Sequence, residues 1–312
     1  MQDTIPTNIE KGIRISVLEL PKVFKKKENA PKEGQDNSAI KKENIKKPNI
    51  VQNMLIMGLS ELVGTALLLF LGCMGCINTD IMPIPHHIPA LSFGFTVMLI
   101  IQTFGHISGA HLNPAVTIAS IVLGYVKPIF GPVYVIAQFI GSVIGFGMLK
   151  ILLPPEFTTN EIFNKTTNET EHVVGLCSTV VHPRVSLMQA LALETITTTI
   201  LILVCAAVWD KRNARNTDSV SLRFGLVIAT IAMTAGPYTG ASMNTVRTFG
   251  PALFNNDWNY HWIYWVGPTL GAFVGSLFYK TIFDSPKQEE KNLDDILEDV
   301  PLNEKCERTN NI

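Results

Sequence analysis

Six long apolar stretches restrict what this chain can fold into more than any other feature of its sequence. A bilayer core about 30 Å thick needs roughly 20 apolar residues for each helix that crosses it. The stretches of that length cover about 54–76, 89–108, 129–152, 187–209, 221–237 and 260–283. Only 16% of all residues are charged, against about 25% in an average soluble domain. We therefore expect an all-α membrane protein with six transmembrane helices.

The chain also repeats itself. A shift of 131 residues places Gly109–Asn113 on Gly240–Asn244. Three spans precede the midpoint and three follow it, so the two copies must cross the membrane in opposite directions. Inverted repeats of this kind place the working site near the bilayer midplane, where broken helices meet.

Short apolar segments begin at Asn113 and Asn244, at the same place in each copy. Both are too short to cross a bilayer, so they are predicted to form re-entrant half-helices. Asn is a favoured N-cap residue, and capping alone would explain both positions. An amide that recurs in a membrane repeat also favours a lined pore, and one residue can serve both purposes.

Glu61 and Glu194 lie inside apolar spans at matching places in the two halves. A carboxylate within a membrane is costly and is usually offset by function or by buried partners. One interpretation is a proton relay. We prefer a structural role, in which each carboxylate accepts hydrogen bonds from backbone N–H groups of its own re-entrant loop, because a scaffold explains the recurrence better.

Positive charge predicts the orientation of the spans. The first fifty residues contain eleven Lys or Arg, and Lys211, Arg212 and Arg215 follow the fourth span, whereas 78–88 contains none. Both termini are therefore predicted to be cytoplasmic. The long link at 153–186 is then extracellular, and its two glycosylation sequons, at Asn164 and Asn168, fall on the side that this charge rule selects.

The five cysteines are scattered through the sequence, at Cys73, Cys76, Cys177, Cys205 and Cys306. Cys73 and Cys76 have CxxC spacing, but no second pair completes a zinc site. Small apolar packing residues are the preferred interpretation. A bridge between Cys76 and Cys177 stays open if both thiols face an oxidising exterior.

Two segments resemble the signature loops of the aquaporins, the major intrinsic proteins. Ser108–Thr117 reads SGAHLNPAVT and resembles the first loop, and Tyr238–Arg247 reads YTGASMNTVR and resembles the second. The resemblance covers about residues 54–283. It implies six transmembrane helices plus two half-helices, usually assembled as a homotetramer, with pore asparagine motifs at Asn113, Pro114 and Ala115 and at Asn244, Thr245 and Val246. The second motif departs from the usual Asn-Pro-Ala.

The resemblance also implies a selectivity filter at Phe93, Ala232, Ala241 and Arg247. Water-specific members have a His where this chain has Ala232, and a methyl group widens the ring. Phe93 and the alanines would then offer an apolar surface to a carbon backbone, while Arg247 donates hydrogen bonds to hydroxyls. This combination suits glycerol and resembles the insect glycerol-conducting channels, the entomoglyceroporins.

The leading hypothesis is therefore a passive channel for glycerol and water, with urea and other small neutral solutes as further candidates, that excludes ions and protons. A water-selective aquaporin is the alternative. An ion-coupled transporter or a structural membrane protein is more remote, because ionisable groups in the spans are few and the filter contains two alanines. No enzyme activity, cofactor, metal ion or nucleic-acid partner is expected.

The expected organisation has three parts. Residues 1–50 form a disordered basic cytoplasmic arm, and 285–312 form a disordered cytoplasmic tail. Between them, 51–284 is the channel domain, with inverted halves at about 51–152 and 187–284. We expect a multi-pass protein of the plasma membrane.

Overall fold

The computed structural model describes residues 49–78, 84–158, 161–164, 169–172 and 174–283. Eight α-helices lie within them: α1 (Ile50–Met74), α2 (His87–Ser108), α3 (Pro114–Val122), α4 (Gly131–Leu152), α5 (Leu187–Trp209), α6 (Val220–Thr239), α7 (Thr245–Asn255) and α8 (Ile263–Ile282). Six of them are long, and α3 and α7 are the two short helices that the sequence predicted.

The predicted link at 153–186 contains one short antiparallel pair of strands, β1 (Glu161–Asn164) and β2 (Glu169–His172), with Glu161 opposite His172. Asn164 is the last residue of β1. The described residues do not include Asn168, residues 1–48 of the predicted arm, or any of the predicted tail with Cys306.

The long helices match the predicted spans to within a few residues. By length and composition, α1, α2, α4, α5 and α6 are each able to cross a membrane. Helix α8 is as long as α6, at 20 residues, but its glycines, aromatic residues and Lys280 make it less apolar. It begins at Ile263, three residues after the predicted start of the sixth span at 260.

The two halves are interlocked rather than side by side. Helix α1 packs on α4, and its counterpart α5 packs on α8. The short helices cross over between the halves, because α3 packs mainly on α8 and α7 mainly on α4. This exchange brings the N-termini of α3 and α7 together in the middle of the bundle.

Glycines allow the long helices to approach closely, as is common in membrane bundles. Helices α2 and α6 meet at Gly94 and Gly225, which the 131-residue repeat relates; a Cβ on Gly225 would lie 2.9 Å from the Gly94 carbonyl oxygen. A Cβ on Gly145 of α4 would collide with the Ala66 carbonyl of α1. These contacts involve backbone atoms, which cannot move aside as a side chain can.

The contact at Gly145 predicts the effect of a single methyl group. We expect Gly145→Ala to lower the free energy of unfolding by about 1–3 kcal/mol, the usual cost of overpacking. Gly58→Ala, on the same helix pair, is the matched control, since its new Cβ would meet only a Val133 methyl group at 3.1 Å. Both positions gain about 1 kcal/mol of helix propensity, which offsets the contact with a side chain at Gly58 but not the collision with backbone at Gly145. Thermal unfolding in detergent compares the two variants, and equal melting temperatures would contradict the backbone-clash argument.

Candidate pore and constriction

Asn113 and Asn244 begin the two half-helices. Each has an extended backbone, with φ of −157° and −153°. The Asn113 Oδ1 accepts a hydrogen bond from the Ala115 N–H at 2.8 Å, and the Asn244 Oδ1 accepts one from the Val246 N–H at 3.1 Å. Both asparagines are therefore N-caps, as their residue type favours.

The same two side chains also join the halves. The Asn113 amide donates to the Met243 carbonyl at 2.8 Å, and the Asn244 amide donates to the Leu112 carbonyl at 2.8 Å. Each amide nitrogen has a second N–H, and both asparagines line the same central cavity. Helix capping and cavity lining thus occur in one residue.

The loops before the half-helices have an unusual backbone. Positive φ angles occur at Ala110 (47°), Leu112 (55°), Ala241 (45°) and Met243 (52°). For residues with a Cβ, a left-handed conformation costs on the order of 1–3 kcal/mol and persists only where the surroundings enforce it. Something must therefore hold both loops in place.

In the first half, the surroundings that enforce this backbone are centred on Glu61, which is fully buried. Its Oε1 accepts from the His111 N–H at 2.9 Å and from the Ser108 hydroxyl at 2.7 Å. Its Oε2 accepts from the Leu112 N–H at 2.8 Å and from the Gln138 amide at 2.8 Å. Four donors therefore surround one carboxylate.

Glu194 repeats this arrangement in the second half and is also fully buried. Its Oε1 accepts from the Ser242 N–H at 3.0 Å and the Thr239 hydroxyl at 2.6 Å, and its Oε2 accepts from the Met243 N–H at 2.9 Å. The hydroxyl donors, Ser108 and Thr239, were not predicted from the sequence. They are 131 residues apart, so the repeat could have identified them.

Two cavities meet at a constriction. The larger, of about 470 Å³, contains both asparagines in its wall, and the smaller has about 140 Å³. Four residues line both: Phe93, Ala232, Gly240 and Arg247. Three of the four predicted filter residues therefore lie at the junction, and the fourth, Ala241, lines the larger cavity only. Gly240 was not predicted.

Arg247 is held at this junction from two sides. Its guanidinium carbon lies 4.5 Å from the centroid of the Phe93 ring, a cation–π distance. Its Nη1 donates to the Cys177 carbonyl at 2.7 Å. The side chain is therefore fixed across the constriction, with its remaining N–H groups as the available donors.

Cys177 belongs to a segment, Gly175–Thr179, that we call the strap. The Gly175 N–H and the Ser178 hydroxyl both donate to Asp257 Oδ2, the former at 2.8 Å. Thr179 donates to the Thr248 hydroxyl at 2.9 Å. None of these contacts was predicted, because the strap reaches the pore only through tertiary folding.

The strap is also covalently anchored. A disulfide joins Cys177 to Cys73 in the last turn of α1. The packing interpretation of the Cys73/Cys76 pair is thus wrong for Cys73, and the pairing left open for Cys177 named Cys76, the wrong partner. Cys73 is fully buried and faces the strap, whereas Cys76, beyond the end of α1, is a free thiol whose sulfur lies 4.0 Å from that of Cys177. Cys205 is free and buried.

The Asn-Thr-Val motif differs from its counterpart in one contact. Pro114 occupies the first position of α3, whereas Thr245 occupies that of α7 and donates to the Tyr264 carbonyl at 2.9 Å. That carbonyl has no helical donor, because residue 268, four positions later, is proline and lacks an N–H. Thr245 therefore satisfies a polar group that Pro268 leaves open.

Comparisons with known proteins agree with this geometry. A family model described as major intrinsic protein matches residues 49–279. Aquaporin-8 of Mus musculus is 36% identical over 230 residues, which cover 72% of this chain and 81% of that protein. Aquaporin-4 of Mus musculus is 35% identical over 228 residues, covering 72% of this chain. The chain spans 66% of the length of that aquaporin-4 and 58% of the human one.

One similar solved structure is the aquaglyceroporin from Plasmodium falciparum. Its TM-score is 0.63 at 27% sequence identity, and the match covers 73% of this chain and 96% of that one. The fold of this chain is therefore shared with a solved structure.

The two buried carboxylates give a prediction about the loops. Each oxygen of Glu61 accepts from a backbone N–H, and so does each oxygen of Glu194. Whichever way a glutamine amide is turned, its NH₂ would face one of those donors. We expect Glu61→Gln and Glu194→Gln each to cost about 1–3 kcal/mol of stability and to reduce permeability per channel. Glu156→Gln, at an exposed carboxylate, is the control; wild-type melting and permeability in both buried variants would refute a loop-supporting role.

The disulfide gives a second prediction. The bridge closes a loop across a sequence separation of 104, so Cys177→Ser should lower stability by about 2–4 kcal/mol. Cys76→Ser should leave stability nearly unchanged, because that thiol is outside the bridge. Melting temperatures without reductant test both variants, and peptide mapping that finds Cys177 bonded to Cys76 would show the pairing to be different.

Proposed function

This chain belongs to the major intrinsic protein family, and we propose that it is a passive membrane channel that conducts glycerol and water. Aquaporins of this family are channels rather than enzymes. One observation carries the glycerol proposal: Ala232, and not a larger polar residue, lines the constriction together with Phe93 and Arg247.

The constriction suits a solute with two unlike sides. Phe93 and Ala232 offer apolar surface, and Arg247 offers N–H donors from a fixed position. Glycerol has a carbon backbone along one edge and hydroxyl groups along the other. A site that is mostly apolar with a few placed polar groups is the usual way to bind such a molecule. The likeness to a protein named as an aquaglyceroporin supports the same solute class.

Charge favours neutral solutes. The N-terminal ends of α3 and α7 each carry a partial positive charge from the helix dipole, and they meet at Asn113 and Asn244. The Arg247 guanidinium adds a full positive charge at the constriction. Cations would meet repulsion at both places, which supports exclusion of ions and protons and disfavours an ion-coupled transporter.

A water-selective channel is the second candidate. The resemblance to the aquaporins places Thr248 where classical glycerol facilitators have Asp, and Tyr264-Trp265 where water channels carry an aromatic pair. These residues lie around the half-helix α7 rather than in the constriction, so we place more weight on Ala232. By the same reasoning we propose that the chain resembles the entomoglyceroporins, and urea is a further candidate solute.

We extend the proposal to assembly and location. Several large apolar side chains are exposed on the outer faces of α4 and α8, among them Ile136, Ile140, Phe273 and Leu277, which supports contact with lipid or with copies of the chain in a homotetramer. The charge pattern supports a multi-pass protein with both termini in the cytoplasm, and we propose the plasma membrane as its location. Asn164 and Asn168 are then candidate glycosylation sites on the exterior.

Replacing one methyl group tests the proposal. Ala232→His should abolish most glycerol flux and leave water flux largely intact, because the imidazole narrows the ring opposite Phe93 and presents a polar group to the glycerol carbons. An unpaired polar group in a tight site costs roughly 1–3 kcal/mol, or about 5- to 150-fold in rate. Swelling of vesicles in an iso-osmotic glycerol gradient, compared with shrinkage under an osmotic challenge, measures both fluxes.

Thr234→His is the matched control. It adds the same imidazole to α6 at an exposed position that lines neither cavity, and we expect both fluxes to be unchanged. Glycerol flux that persists in a well-expressed Ala232→His channel would mean that selectivity lies elsewhere. Wild-type channels that pass water but no glycerol would establish the water-selective alternative.

A further inference from the structure

A histidine outside the predicted filter lies next to this constriction, in the wall of the smaller cavity. His86 immediately precedes α2, is exposed, and lines the smaller cavity together with Phe93, Ala232 and Arg247. Its Nε2 lies 3.4 Å from the Met233 carbonyl oxygen of α6. The sequence analysis did not select it, because the link before α2 contains no recognisable motif.

We propose that His86 is a specificity-determining residue, which accepts a hydrogen bond from a hydroxyl group of the solute as it enters the constriction. This inference rests on the proposed glycerol function and adds a named partner to it. The side chains of the predicted filter residues lack a hydrogen-bond acceptor, and His86 would supply one.

The backbone of α6 orients the imidazole. Pro237 lies inside this helix and has no N–H, so the Met233 carbonyl four residues earlier loses its helical donor. A carbonyl oxygen can only accept, so the hydrogen bond to Met233 requires the proton on Nε2. In the neutral ring the other nitrogen, Nδ1, is then an acceptor. The tautomer is thus inferred from the partner.

Among the side chains, the constriction otherwise lacks an acceptor; the other acceptors there are backbone carbonyl oxygens. A guanidinium has five N–H donors and no acceptor, and the side chains of Phe93 and Ala232 have neither. A solute hydroxyl that leaves water needs partners for its proton as well as for its oxygen. With His86 in the wall, a hydroxyl can accept from Arg247 and donate to Nδ1.

The position of the His86 ring explains how a histidine beside the constriction is compatible with a wide filter. A Cβ on Gly236 would lie 3.4 Å from the His86 Cε1, so the imidazole lies beside Gly236, one helical turn along α6 from Ala232. The ring contributes its polar atom from the neighbouring helix at the mouth. It therefore leaves the space beside the Ala232 methyl group free for carbon atoms.

The test uses the full chain in vesicles and the ratio of glycerol to water permeability. This ratio does not depend on the number of channels per vesicle. His86→Leu fills similar space without an acceptor, and the ratio should fall about 2- to 12-fold, the rate equivalent of one net hydrogen bond. His86→Gln supplies an amide oxygen and should retain most of the wild-type ratio.

His87→Leu is the matched control, because His87 is also exposed but lines neither cavity; its ratio should equal that of the wild type. If His86→Leu fails to fold, His86→Ala takes its place with the same expectation. An unchanged or higher ratio in the variant without an acceptor would overturn the role of His86 alone. An equal fall in His86→Gln would do the same, since shape would then explain the loss. A wild-type channel without glycerol flux would overturn both the proposed function and this inference.

Discussion

The structure depends on one constraint: a loop inside a membrane must satisfy its backbone N–H groups without water. Glu61 and Glu194 each accept from two consecutive backbone N–H groups, and those groups belong to loops whose left-handed residues would not hold this shape alone. Once the loops are fixed, the asparagines that follow can cap α3 and α7 at the centre of the bundle. These loops also supply part of the wall of the larger cavity. The two buried carboxylates of the apolar spans thus support the loops and half-helices that the pore proposal uses.

Much of the architecture could be predicted, because it leaves periodic or repeated signals in the sequence. The long helices follow from apolar length, and the half-helices follow from short segments that recur after 131 residues. The family assignment, the all-helical bundle and the class of membrane channel are confirmed by the comparisons. The roles of the individual pore residues stay predictions.

The contacts that could not be predicted join segments that are distant in the chain. They also have no counterpart in the other half, so the repeat does not reveal them. The strap is the clearest case: Cys73, Cys177, Asp257 and Arg247 are brought together only by the fold. To predict the cysteine pairing, one must know which cysteine at the end of α1 faces the strap. The spacing of the cysteines alone does not give that direction. His86 was missed for the same reason, since its partner is a carbonyl that a proline in another helix sets free. Ser108 and Thr239, by contrast, were within reach of the repeat.

The crossed hydrogen bonds at the centre have a consequence for the origin of the fold. Asn113 donates to a carbonyl of the second half and Asn244 to the corresponding carbonyl of the first. A single ancestral half, paired with a second copy of itself in the opposite orientation, would form both bonds from one sequence. Fusion of two such genes would preserve the junction from the first generation onward. In this chain one motif has Pro114 where the other has Thr245, so the crossed bonds persist although the two copies differ beside them.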